Sequence, residues 1–171
     1  MKSRSASTQA SRSGRRIFGR AQRDDVLDPY QARQKLREPA ACRECGAVYQ
    51  HGRWHWGLKP SEAREEMCPA CHRIQDGLPA GILRLQGGFA RQHERELISL
   101  ALNEEAVEKS EHPLNRIASV EQVDAGIVIK TTDIHLPRRI GEAIKRAYRG
   151  KLELDFDHMA YFVRAEWRGP T

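Results

Sequence analysis

The stretch CRECGAVYQHGRWHWGLKPSEAREEMCPACHRIQDGLPAG, residues 42–81, contains all four cysteines of the chain. They form two Cys-x-x-Cys pairs, Cys42/Cys45 and Cys68/Cys71, with 22 residues between the pairs. Two residues between thiols let a tight turn direct both sulfurs at one ion, and two such turns on adjacent hairpins complete a tetrahedron. The spacing therefore predicts a zinc ribbon in which these four cysteines hold one structural Zn²⁺.

Two other uses of the cysteines compete with metal binding. Disulfides require an oxidising compartment, which nothing in the chain indicates, and a thioredoxin-type redox pair uses a single motif within a βαβ unit. Gly46, just after the first pair, is expected to supply the positive φ of a tight turn. Four thiolates around Zn²⁺ leave an excess of negative charge, and we expect Arg43, His72 and Arg73 to offset it.

Basic residues are concentrated before the ribbon. Residues 1–40 contain ten Lys/Arg and four Asp/Glu, whereas the rest of the chain has nineteen of each sign. Residues 1–23 have seven basic residues, no acidic one and few apolar ones, which predicts a disordered arm. As an RNA-binding arm it would neutralise phosphates, although an inert tail and a mitochondrial transit peptide also fit the composition. The arginines expected on phosphates are Arg12, Arg15, Arg16 and Arg20.

Regular alternation of apolar and polar residues begins at Gly81. It predicts strands at 81–86, 116–123, 127–132, 152–156 and 161–167, and helices at 89–110 and 136–148. This β-α-β-β-α-β-β order predicts an α+β domain in which two helices cover one face of a small antiparallel sheet. We therefore divide the chain into a basic arm and linker at 1–40, the four-cysteine ribbon at 41–80 and the α+β domain at 81–171.

Two groups of residues in the folded part are candidates for RNA contact. Arg53, Trp54 and Trp56 lie between the cysteine pairs, where the rings could stack on exposed bases or form the core of a small ribbon. One side of the second predicted helix is basic and could follow a phosphate backbone or be an ordinary solvated face. These residues are Arg138, Arg139, Lys145, Arg146 and Arg149. His135, at the start of that helix, is a phosphate or base contact, or else a capping or packing residue.

The first predicted helix is acidic toward its end, so we expect it on a side of the domain that faces away from RNA. Its packing face is expected to consist of Leu97, Leu100, Ala101 and Val107. At the start of the second helix, Asp133 is expected to cap the free backbone N–H groups.

Several stretches resemble known families. CPACHRIQDGLPAGILRLQGGF (68–89) and TTDIHLPRRIGEAIKRAYRGKLELDF (131–156) resemble an uncharacterised family of short bacterial zinc-ribbon proteins. EHPLNRIASVEQVDAGIVIKTTDIHLPRRIGEAIKR (111–146) is similar to the central domain of the archaeal and eukaryotic adaptor proteins of the NMD-three type. Those adaptors bind the large ribosomal subunit and act in its maturation or export, so the resemblance implies contact with the ribosome or rRNA. They carry two zinc sites, whereas four cysteines here allow one.

The sequence also argues against several classes of protein. No apolar stretch approaches the ~20 residues of a membrane helix and no secretory signal is present, so we expect a cytoplasmic protein without a membrane partner. Motifs of hydrolases, nucleotide-binding loops and metalloproteases are missing, so we expect no enzymatic activity and no small-molecule substrate. The sequence predicts a zinc-containing ribosome- and rRNA-binding factor, with the large subunit favoured, acting in assembly, hibernation or stress. The alternatives are a DNA-binding or transcription-associated zinc-ribbon protein and a protein-interaction module, and the oligomeric state is not fixed.

Overall fold

The computed structural model describes residues 28–31, 36–157 and 159–170. The predicted arm at 1–23, with its arginines, lies outside these residues. Within the described part, nine strands and four helices form an α+β fold with two sheets. The elements are β1 (Ala40–Cys42), β2 (Val48–Gln50), β3 (Arg53–His55), β4 (Arg64–Glu66), α1 (Pro69–Asp76), β5 (Gly81–Gln86), α2 (Gly88–Gln92), α3 (Glu94–Glu111), β6 (Ile117–Val123), β7 (Gly126–Thr131), α4 (Leu136–Tyr148), β8 (Lys151–Asp157) and β9 (Phe162–Arg168).

The first sheet contains the cysteine-bearing segment and has the strand order β3-β2-β1-β4. Its strands have three residues each, and β1 pairs antiparallel with β2 but parallel with β4. Helix α1 follows directly, with Pro69 at its first position and Gly77 in the left-handed conformation after its end. The sequence-based prediction of this region did not include α1.

The second sheet has the order β6-β7-β5-β9-β8 and is mixed, not antiparallel as predicted. Strand β5 pairs antiparallel with β7 but parallel with β9. The physical reason is the connection through α4, which crosses over the sheet and returns β8 in the same direction as β7. The β8–β9 hairpin then inserts β9 between β8 and β5. Strands β5 and β9 therefore run side by side in one direction.

The helix predicted over 89–110 is two helices, α2 and α3, separated at His93. His93 leaves the helical conformation (φ −110°, ψ 29°), and its ring stacks on Phe89 at a centroid distance of 4.1 Å. Phe89 in turn contacts the edges of Tyr148 and Trp167. The break lets α2 place Phe89 on the sheet while α3 packs on α4. Val107, expected on the packing face of α3, is 58% exposed, because the buried side of α3 is formed by Leu97 and Ala101.

The main core lies between the second sheet and its helices. Alternate residues of the central strands, among them Leu83, Leu85, Ile127 and Ile129, are fully buried against α4 and Trp167. On the opposite face the alternating residues carry charges that form ion pairs. Lys130–Glu121 at 2.6 Å and Arg164–Asp155 at 3.8 Å pair across strands, whereas Arg168–Glu166 at 3.7 Å lies within β9. Among the described residues, every helix is too short or too polar to cross a bilayer.

Candidate metal centre

The four cysteines converge on one point. Their Sγ atoms all lie within 4.8 Å of one another, and the Sγ atoms of Cys45 and Cys68 are 3.7 Å apart. All four are free thiols; Cys42, Cys68 and Cys71 are buried and Cys45 is half-buried. The structure therefore brings the predicted ligands together, and together they can hold one metal ion.

The two cysteine pairs are presented by different local structures. The first pair lies in the turn between β1 and β2, where the Gly46 N–H donates to the Cys42 carbonyl at 2.9 Å and φ of Gly46 is +78°. This confirms the turn predicted at Gly46. The second pair does not lie on a second hairpin but at the N-terminus of α1, where the Sγ of Cys68 accepts the Cys71 N–H at 3.4 Å. The positive end of a helix stabilises thiolates, so α1 lowers the cost of gathering them.

The cation that contacts these sulfurs comes from the segment that leads into the second sheet. Arg116, just before β6, donates its Nη2 to the Sγ of Cys71 at 3.2 Å and to the Sγ of Cys68 at 3.4 Å. Its side chain is buried, and its backbone N–H is held by the Oγ1 of Thr132 at 3.0 Å. Arg116 therefore offsets thiolate charge and joins the ribbon to the α+β domain.

The three residues expected to offset the thiolate charge lie elsewhere. Arg43 is exposed and pairs with Glu44 at 3.5 Å. Arg73 is buried but pairs with Asp28, and His72 is exposed at 6.3 Å from the Tyr30 ring. Nearness in sequence therefore did not identify the residue that offsets the thiolate charge. That residue is Arg116, which lies 45 residues beyond Cys71 and reaches the cluster only through the fold.

Hydrogen bonding separates the pKa values of neighbouring thiols. The hydrogen bond from Cys68 lowers the pKa of Cys45 to about 4, while the same bond, together with burial, raises the pKa of Cys68. Burial raises the pKa of Cys71, and the Arg116 guanidinium opposes that rise. Burial alone would lower the pKa of Arg116, but its hydrogen bond to Cys71 and the nearby thiolates raise it. A metal ion that binds these sulfurs would therefore release the protons that the thiols still carry.

Replacing Arg116 with methionine is expected to weaken metal binding by roughly 10- to 100-fold, because two ligand sulfurs lose their hydrogen-bond donor. Competition for Co²⁺ against a chromophoric chelator, followed through the thiolate-to-metal charge-transfer bands, measures the affinity. The matched control is Arg43→Met, which removes an exposed arginine that is adjacent to Cys42 in sequence but paired with Glu44, and it should leave the affinity unchanged. Equal affinities of both variants and the parent would show that Arg116 has no part in holding the ligands.

The predicted RNA-contact residues of the ribbon lie in different surroundings. Trp54, on β3, packs against the cysteine cluster, and its ring centroid is 5.4 Å from that of Tyr49. Arg53, beside it, is exposed. Trp56 lies just after β3, and its Nε1 donates to the carbonyl of Lys109 at 2.6 Å, in the last turn of α3. Trp56 thus connects the ribbon to α3, while Arg53 and Trp54 line a groove on the ribbon.

The basic side of α4 is only partly available. Arg139 donates to Glu104 at 2.9 Å and to Glu108 at 2.8 Å, so the acidic end of α3 lies against α4. The expected separation of an acidic side from a basic side does not hold there. Four other basic residues of this surface are exposed and form no ion pair within the described part of the chain: Arg138, Lys145, Arg146 and Arg149. We call these four residues the α4 basic row.

His135 is exposed at the start of α4, next to this row. Its backbone N–H donates to the Oδ2 of Asp133 at 2.7 Å, and the N–H of Leu136 donates to the same atom at 3.0 Å. Asp133 therefore caps α4 as the sequence predicted. Burial raises the pKa of Asp133, and the two backbone donors oppose that rise.

The sequence patterns did not predict a buried ion pair near the ribbon. Arg73 of α1 donates to Asp28 and, at 3.1 Å, to the carbonyl of Leu78, and both members of the pair are buried. The Cζ of Arg73 lies 4.4 Å from the centroid of the Tyr30 ring, and the Tyr30 hydroxyl donates to Asp76 at 2.8 Å. Residues 28–31, assigned to the arm and linker, thus pack on the ribbon. The Asp-Pro dipeptide at 28–29 is a turn-forming pair that could have indicated this.

The chain matches no protein-family model, no curated protein and no solved structure. The similarity of residues 111–146 to ribosomal adaptors therefore stays a prediction. What the cysteine cluster and the basic row can do chemically follows from their own geometry. That geometry provides one closed four-sulfur site and one exposed cationic surface.

Proposed function

We propose that this protein is a zinc-stabilised ribosome- and rRNA-binding factor that acts on the large subunit in assembly, hibernation or stress. Zn²⁺ suits the cluster because Zn–S bonds of about 2.3 Å place tetrahedral sulfurs about 3.8 Å apart. The Sγ atoms of Cys45 and Cys68 are 3.7 Å apart. Four thiolates leave no open coordination position, so the ion would hold the ribbon and take no part in chemistry.

The α4 basic row is the observation that carries the proposal. Phosphate contacts need cations that are not already neutralised, and the row supplies four such side chains. At about 1.5 Å of rise per residue, the distance from Arg138 to Arg149 is roughly 16 Å. That length spans about five nucleotides of one strand at about 3.4 Å per step. The opposite sheet face is a poorer candidate, because Lys130, Arg164 and Arg168 are paired with carboxylates.

The basic arm adds to this surface in the proposal. Its seven cations in residues 1–23 have no acidic neighbour in that segment, so they would contact phosphates without competition from nearby carboxylates. Arg12, Arg15, Arg16 and Arg20 are the assigned contacts. Removing residues 1–23 leaves Asp28 and Tyr30 in place, so the arm can be deleted without disturbing the buried pair with Arg73.

The protein is expected to migrate with the large subunit or whole ribosomes in sucrose gradients from growing or starved cells. RNase treatment should release it, and so should rising salt, because phosphate contacts are screened. Deletion of residues 1–23 should move it toward the top of the gradient. Migration at the top under both growth conditions would contradict ribosome binding, and retardation of duplex DNA in a gel would then support the DNA-binding alternative.

Binding to purified ribosomes, measured at several salt concentrations, tests the α4 basic row. Replacing Arg138, Lys145, Arg146 and Arg149 with glutamine should reduce the slope of log affinity against log salt by about 3. The control replaces Lys130 and Arg164 with glutamine, which removes paired cations from the opposite sheet face. If the control variant loses as much affinity as the row variant, the binding surface lies elsewhere.

A further inference from the structure

A groove of about 440 Å³ lies between the ribbon, the turn at residues 28–31 and the segment after α3. Its volume lies in the range of sites for small organic groups, about 300 to 1,000 Å³. Three large aromatic side chains line it, Tyr30 from the turn and Tyr49 and Trp54 from the ribbon, together with the imidazole rings of His72 and His112. The turn that forms one wall is held against α1 by the Asp28–Arg73 pair and by the hydrogen bond from Tyr30 to Asp76.

The aromatic rings of the groove come from two segments and offer surfaces for stacking. On the ribbon, Tyr49 and Trp54 form a tilted pair with centroids 5.4 Å apart. On the turn, Tyr30 lies 6.3 Å from the ring of His72, also tilted. All three large rings are only half-buried, so part of each remains open to a ligand. Aromatic rings that line a solvent-accessible groove suit a planar ligand with polar atoms at its edge.

The charge of the lining is close to balanced. Arg53 is the arginine of the lining and is exposed, and Glu66 is its half-buried carboxylate. Gln31 and Asn115 add amide groups that can donate and accept hydrogen bonds. A balanced interior with one exposed cation fits an uncharged heterocycle whose phosphate stays outside, next to Arg53.

The groove also approaches the first turn of α4, where the α4 basic row begins with Arg138. Glu108 accepts a hydrogen bond from the Nδ2 of Asn115 at 2.9 Å and from the Nη1 of Arg139 at 2.8 Å. One carboxylate therefore separates a lining residue of the groove from the first turn of α4. A strand of nucleic acid that follows the row would pass close to the opening of the groove.

We propose that this groove binds an unpaired nucleobase of single-stranded RNA, stacked between Trp54 and Tyr30 with its phosphate at Arg53. The inference rests on the proposed function, since it assigns the base-contacting part of the same RNA-binding surface. Bases inside a duplex are already stacked and cannot enter, so the groove selects single-stranded or looped segments.

Fluorescence anisotropy with labelled ten-nucleotide oligo(A), oligo(U) and a duplex RNA of equal length tests the assignment. Trp54→Leu should weaken single-strand binding at least fivefold, about the smallest effect of losing one stacking partner. Duplex binding should be unchanged, because it uses the α4 basic row. The control is Phe162→Leu, an aromatic replacement on the opposite sheet face that should alter neither probe.

Because Trp54 packs on the cysteine cluster, Arg53→Gln provides a second variant without risk to the fold. It should lower the salt slope for single strands by about 0.7 and leave duplex binding unchanged. Lys59→Gln, another exposed ribbon cation, is its control. Photocrosslinking of a 5-bromouridine oligonucleotide should place the adduct in a peptide that contains Tyr30, Tyr49 or Trp54.

The outcomes separate this inference from the proposed function. If the parent protein binds RNA and both groove variants bind single strands as well as the parent does, the groove is not a base site, while RNA binding stands. If the variants lose ribosome co-sedimentation but keep full affinity for single strands, a ribosomal protein occupies the groove, and the nucleobase assignment is wrong. If the parent binds neither RNA probe nor ribosomes, the proposed function itself fails.

Discussion

Replacing Cys68 with serine is expected to abolish metal binding and unfold the ribbon. Cys68 has the central position among the ligands: it is fully buried, caps the N-terminus of α1, and contacts Cys45, the Cys71 N–H and Arg116. The apolar cluster around the site consists mainly of cysteines and alanines, which bury little surface. Such a cluster cannot replace the roughly 10–16 kcal/mol by which a structural Zn²⁺ stabilises small zinc domains.

The second sheet should survive this loss. Its core of leucine, isoleucine and Trp167 is separate from the cysteine cluster and contains no metal ligand. Cys68→Ser should therefore retain much of its helical circular dichroism while the ribbon becomes the first site of proteolysis. Metal content measured by mass spectrometry should fall from one equivalent to none.

A matched surface change distinguishes ligand loss from a general effect of substitution. Glu65→Ser alters an exposed position of β4 in the same ribbon and should keep one equivalent of metal and the parent melting temperature. The metal assignment is wrong if Cys68→Ser also keeps its metal and melts as the parent does. Treating the parent with a strong chelator should reproduce the Cys68→Ser behaviour, because removing the ion and removing its ligand break the same site.

Features set by short-range spacing were predictable from the sequence. The cysteine pairs converge because two residues between thiols constrain both sulfurs, and α4 spans Leu136–Tyr148 as predicted because its apolar residues recur at helical spacing before Gly150. Strand β5 likewise has its predicted bounds. In each case the pattern within one element is enough to define that element.

Features that depend on distant partners were not predictable. Alternation in β9 shows which residues face the core but not that β5 is its parallel neighbour. No local pattern connects Arg116 to Cys71 or Arg73 to Asp28, because 45 residues separate each pair. An arginine in a strand or helix usually indicates a solvated surface, and only the fold shows that these two are buried. The groove at Trp54 is built from three such distant segments, so Trp54 could be predicted as a candidate but its surroundings could not.

Replacing Asp28 with alanine is expected to lower the free energy of unfolding by roughly 3–5 kcal/mol, the usual cost of removing one member of a buried ion pair. Arg73 is only 4% exposed, and its Nε has no hydrogen-bond partner within the described residues. Without Asp28 the guanidinium would keep the Leu78 carbonyl and the face of Tyr30 but lose its counter-charge. Urea unfolding of the metal-loaded protein measures the change.

The double variant Asp28→Ala/Arg73→Met distinguishes the cost of leaving a buried charge unpaired from the net contribution of the ion pair to the free energy of unfolding. Because methionine leaves no charge to bury, the double variant should recover much of the stability lost in Asp28→Ala. Lys59→Ala, which breaks the exposed pair with Glu65, should cost less than about 1 kcal/mol. A loss as small in Asp28→Ala as in Lys59→Ala would show that the turn is not anchored by this pair. If it is anchored, Asp28→Ala should weaken single-strand binding as well as stability, because Tyr30, which lines the groove, lies on the same turn and donates its backbone N–H to Asp28.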